Sequence, residues 1–112
     1  MILTRRTPEV FKREGYALVQ ATDIAHYERL GVPLYMGRWD DGRPTGPYAP
    51  VWALSLLASL SPLDLDAEDA VKRVISLAIR QDDPREFAEY ADGAARLGGT
   101  PALRAILEGA RP

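Results

Sequence analysis

The sequence predicts a mainly α protein: a compact single domain of four to five helices spanning residues 1–112, interrupted by a Pro/Gly-rich excursion at about residues 32–50 that is either an irregular loop or a short β-hairpin. Three observations carry this expectation. A chain of 112 residues is long enough for one hydrophobic core and too short for two. Its second half alternates apolar-periodic runs with helix start and stop residues. And Val51–Leu60 is apolar around most of a helical circumference, as a central helix with neighbours on several sides would be.

In chain order, Thr7-Pro8 reads as an N-cap followed by proline in the first turn, and Gly15 ends a short helix over about 8–14. Tyr16–Gln20 reads as a short strand or a linker. Thr22 is expected to cap a second helix over about 23–30, with Ile24, Tyr27 and Leu30 facing the core and Gly31 after its end. From Val32 to Pro50 the prolines and glycines forbid a long helix. A turn at Asp40-Asp41-Gly42 suits a hairpin, whereas Pro44, Pro47 and Pro50 argue against a good return strand.

Ser61-Pro62 closes the central helix. Asp66, Asp82-Asp83-Pro84 and Gly98-Gly99-Thr100-Pro101 then punctuate three helices, over about 67–81, 84–97 and 101–109. Ala70, Val71, Val74, Ile75 and Ala78 form the core stripe of the first, widened by Leu77 and Ile79. Phe87, Tyr90, Ala91, Ala94 and Leu97 form that of the second, and Leu103, Ile106 and Leu107 that of the third.

Composition narrows the chemistry. The absence of cysteine removes disulfides, thiolate metal sites and cysteine nucleophiles. His26 is the sole histidine, so no His-rich metal site is expected, and the carboxylates at 64–69 and 82–83 are accounted for as helix-start residues. Asp40-Asp41 lacks the further oxygen ligands that a cation would need. No nucleophile elbow or dinucleotide-binding loop is present. Catalytic residues, a metal and a cofactor are therefore not expected. No run of about 18 apolar residues marks a membrane span, so no membrane partner is expected and a cytoplasmic address follows.

Binding composition is richer. Of nine aromatic residues, five lie between residues 27 and 52: Tyr27, Tyr35, Trp39, Tyr48 and Trp52. Trp52 is expected in the core. Tyr35, Arg38, Trp39 and Arg43 are the candidate partner-binding residues, because Trp, Tyr and Arg bury large areas while keeping a polar handle. The function expected is that of a non-enzymatic adaptor, inhibitor or assembly factor that binds another protein.

The alternative is a small dimeric DNA-binding regulator. Ala94–Gly98 with the helix from Pro101 resembles the turn of small helix-turn-helix regulators, over about fifteen residues. Arg5, Arg6, Lys12, Arg13 and Arg104 would then contact nucleic acid. A net charge of −2 speaks against general coating of nucleic acid. The alanine-rich face at Ala91, Ala94 and Ala95 suits close helix packing within one chain or in a homodimer.

Overall fold

A computed structural model describes residues 1–60 and 67–109 of the chain. It divides into two compact units, residues 1–51 and 52–112.

The first unit corrects the expectation of a mainly α assembly of four to five helices, because it is built on a four-stranded mixed sheet. Strand β1 (Ile2–Leu3) leads to helix α1 (Pro8–Arg13), β2 (Tyr16–Leu18), a turn of 3-10 helix at Ala21–Asp23, helix α2 (Ile24–Arg29), β3 (Tyr35–Arg38) and β4 (Pro44–Pro50). The sheet order is β1-β3-β4-β2, with β1 parallel to β3 and the other pairs antiparallel. The segment 32–50 is thus a β-hairpin, and its return strand β4 lies inside the sheet.

Three prolines in an interior strand would ordinarily argue against that placement. They are tolerated because each sits where a missing N–H costs little. Pro44 and Pro50 are the first and last residues of β4. Pro47 still offers its carbonyl, which accepts from Val19 N–H at 2.8 Å, one residue beyond the end of β2.

The register of β3 shifts between Met36 and Arg38, a bulge beside the segment that enters α1. There Arg38 N–H donates to the Arg6 carbonyl at 2.9 Å. A Cβ on Gly37 would lie 1.9 Å from that same oxygen, so only glycine lets the two backbones approach this closely. The Gly37 N–H, displaced from the ladder, donates instead to the buried Thr45 hydroxyl at 2.9 Å.

Helix α1 starts as its sequence dictates: Thr7 Oγ1 accepts from Val10 N–H at 3.4 Å, with proline in the first turn. The helix lays Phe11 on the sheet, fully buried and stacked on Tyr48 at 4.3 Å between ring centroids. Val19, Leu30, Val32, Leu34 and Ala49 complete the apolar interior of this unit.

The second unit is helical: α3 (Val51–Leu60, entered from β4), α4 (Ala67–Arg80) and α5 (Pro84–Gly109). Asp66, the expected cap of α4, lies outside the described residues. Asp83 caps α5 as expected, accepting from the N–H groups of Arg85 and Glu86 at 3.1 and 3.2 Å. The core joins Ala53, Leu56 and Leu60 of α3, Val74, Ile75 and Ala78 of α4, and Ala88, Ala91, Leu103 and Ile106 of α5. Ile79, assigned to the α4 stripe, is instead exposed.

A further correction concerns the C-terminal helices. Residues 84–97 and 101–109 do not form two helices joined by a turn. They belong to one helix of 26 residues that carries Pro101 within it. The helix bends at this point, since a Cβ on Gly98 would meet the Ala102 Cβ at 2.4 Å, where side chains one turn apart on a straight helix stand about 5–6 Å apart. Gly98 and Pro101 are the causes: one allows the close approach, the other removes a ladder donor and crowds the preceding turn.

Candidate functional site

The tip of the β3–β4 hairpin is a tight four-residue turn. Trp39 N–H donates to the Arg43 carbonyl at 2.8 Å, and Gly42 N–H donates back to the Trp39 carbonyl at 2.9 Å. Gly42 has φ +87°, the left-handed conformation that lets a type I turn close a right-twisted hairpin. The acidic residue before it completes the turn: Asp41 Oδ1 accepts from Arg43 N–H at 3.1 Å, an Asx-type contact.

Side chains at the tip are oriented by this backbone. The Arg43 Nε meets Asp41 Oδ2 at 2.6 Å. Arg38 Nη1 donates to the Gly42 carbonyl at 2.9 Å across the turn. Between them Trp39 is 47% exposed, a large indole held in solvent on an ordered scaffold. Both guanidinium groups are thereby aimed while keeping most of their five donors for another molecule.

Of the four residues expected to bind a partner, the fold brings Arg38, Trp39 and Arg43 together and leaves Tyr35 apart. Tyr35 sits at the other end of β3, its ring edge-on to Tyr16 at 5.4 Å. Burial raises its phenol pKa above the usual value; Tyr16 adds to the shift and the Arg6 guanidinium opposes it.

The basic N-terminal residues divide in the same manner. Arg6 is held among rings, its guanidinium carbon 5.2 Å from the Tyr16 centroid and 5.8 Å from those of Phe11 and Tyr35. Its Nε also pairs with Glu14 at 3.0 Å. Arg5, Lys12 and Arg13 are exposed. Arg104 belongs to the other unit and is exposed on α5, within the continuous stretch that replaces the expected turn.

Asp41, read from the sequence as a turn residue, and Thr45 support the site, and neither was among the residues expected to bind a partner. The Asp-Gly pair preceding Arg43 was the available signal for the first. Nothing in the sequence distinguishes Thr45, whose role depends on a bulge. His26 is exposed, with Nδ1 3.4 Å from the Arg29 guanidinium. Among the described residues, no group of three or more His, Asp or Glu side chains is placed to hold a metal ion, and no helix is long and apolar enough to cross a membrane.

Comparisons of the chain with protein-family models, with curated proteins and with solved structures find no match. The functional reading therefore stands on these residues alone.

Proposed function

We propose that this is a cytoplasmic, non-enzymatic protein that binds another protein through the tip of its β3–β4 hairpin. Trp39 is the anchor that enters a pocket on the partner. Arg38 and Arg43 pair with acidic or carbonyl groups around that pocket. The observation that carries the reading is the exposure of Trp39, 47%, on a turn ordered by backbone hydrogen bonds. An indole left in water costs solvation free energy that a partner's pocket recovers, and a pre-ordered loop loses little entropy on docking.

The test is affinity capture of the tagged protein from its own cells, with Trp39→Ala run alongside and the captured partner then titrated against both. Trp39→Ala should weaken binding at least tenfold, since a central indole at an interface contributes ~2 kcal/mol or more. The melting temperature should stay within the narrow range of a surface substitution. Equal capture by both proteins, or a large loss of stability in the variant, would remove Trp39 as the anchor.

A further inference from the structure

Charge at the hairpin tip narrows the kind of surface that can receive Trp39. Between Arg29 and Asp64 the charged residues are Arg38, Asp40, Asp41 and Arg43, and they sum to zero. All of them are exposed. Arg43 has its counter-charge in contact: Nε stands 2.6 Å from Asp41 Oδ2, while Oδ1 of the same carboxylate accepts from Arg43 N–H at 3.1 Å. Asp40 adjoins the indole in sequence and lies two residues from Arg38. The cations of the neighbouring segment stand back from the turn. Arg5 precedes the Arg6 carbonyl that meets Arg38 N–H, and the Arg6 side chain pairs with Glu14 at 3.0 Å.

Two kinds of acceptor can rim a pocket for the indole, charged and neutral. A carboxylate or phosphate drawn to Arg43 also comes against Asp41, which already holds the Nε edge of that guanidinium, and a like charge within about 4–6 Å offsets the attraction. Phosphate fares worse, since it carries more charge than a carboxylate. Neutral acceptors meet no such opposition. Arg38 gives one N–H to the Gly42 carbonyl at 2.9 Å and Arg43 gives its Nε–H to Asp41, so most of the five donors of each guanidinium remain for a partner's carbonyl oxygens. A tip without net charge also has no field that would steer an acidic partner to it from a distance.

We propose that the pocket receiving Trp39 is rimmed by neutral acceptors, the backbone carbonyls and amide side chains of a folded protein, rather than by carboxylates or phosphates. The proposal rests on the hairpin tip being the binding site and gives that site a partner chemistry.

Collisional quenching of Trp39 fluorescence in a Trp52→Phe protein reads the charge around the indole directly. The probes are iodide, caesium and acrylamide at equal ionic strength, with free N-acetyltryptophanamide as the reference. Relative to the free indole, iodide and caesium should quench within about 1.5-fold of each other, as at a site without net charge, and Asp41→Asn should tilt the ratio toward iodide. Should Trp52→Phe fail to fold, the difference between the parent and Trp39→Phe reports the same indole. A second arm uses the protein that the parent captures and Trp39→Ala does not. Its affinity should change less than about threefold between dilute buffer and about 0.5 M salt. Asp41→Asn should weaken it, because Arg43 loses the contact that orders it before docking. Either ion favoured by about twofold or more, an affinity that falls about tenfold with salt, or a partner held more tightly by Asp41→Asn overturns the neutral rim and leaves the hairpin as the binding site. If no captured protein depends on Trp39, the tip is not the binding site and the neutral rim falls with it.

Discussion

Replacing Gly37 by alanine should be one of the most damaging single-methyl additions in the first unit. The new Cβ would stand 1.9 Å from the Arg6 carbonyl oxygen and 2.6 Å from Phe11 Cε2. Neither neighbour can step aside cheaply. The oxygen is backbone and already accepts from Arg38 N–H, while the Phe11 ring is fully buried and stacked on Tyr48. The segment from Thr4 to Thr7 would have to leave β3. Overpacking of this kind costs about 1–3 kcal/mol, the lost Arg38–Arg6 hydrogen bond about 1 kcal/mol, and a displaced aromatic pair about 0.5–1.5 kcal/mol. A loss of about 3–4 kcal/mol is large against a domain stability of about 5–15 kcal/mol. Urea unfolding followed by circular dichroism would measure it, and amide exchange would report the Arg38 and Thr4 N–H groups becoming less protected. Shortening Phe11 to leucine in the same chain should not restore stability, because the nearer clash is with the oxygen. A Gly37→Ala protein within about 0.5 kcal/mol of the parent, the range of an ordinary surface change, with the Arg38 amide still protected, would refute the close approach of these two segments.

Three smaller perturbations follow from the same structure. Asp83→Ala removes the acceptor for two N–H groups at the start of α5 and should cost about 1 kcal/mol in thermal unfolding, with Asp83→Asn recovering most of it. Tyr35 holds its proton more tightly when folded than unfolded, so its contribution to stability is present below the ordinary phenol pKa and is lost as pH rises through the raised one. Ultraviolet titration should show one tyrosine ionising late, absent in Tyr35→Phe. Gly98→Ala should straighten α5, since its methyl would meet the Ala102 Cβ. Any gain in helix propensity, about 1 kcal/mol at most, should be cancelled by the clash until Ala102→Gly is added, which a paired set of melting curves would show.

The helices of this chain were largely legible because their ends are written in side-chain chemistry. Thr7-Pro8 and Asp83-Pro84 name the atoms that satisfy free N–H groups, and both act as expected. The sheet was legible only in part: Tyr16–Gln20 read as a strand or a linker and residues 32–50 as a loop or a hairpin, and what kept these readings open is particular to each strand. β1 has two residues and β2 three, too few for an alternating pattern to rise above chance. β4, Pro-Thr-Gly-Pro-Tyr-Ala-Pro, has the composition of a loop, and what admits it to the sheet is the placement of each proline against its neighbours, which is a tertiary property. The break expected after Leu97 fails for the opposite reason. Glycine and proline mark strain in the backbone, and a helix can absorb that strain by bending as well as by stopping.

Two exposed surfaces of the chain show the same limit. Trp39 was readable as a candidate by residue type alone, among interleaved Tyr and Arg residues; its exposure was not readable, and follows from its place at the tip of a tight hairpin, where few neighbours of its own chain are within reach. Tyr90 and Leu97 were not readable as exposed. Their helical spacing is what a core stripe shows, and α5 has both a stripe that α4 covers and one that it does not. Periodicity reports that a face is apolar; it carries no information about which molecule supplies the cover.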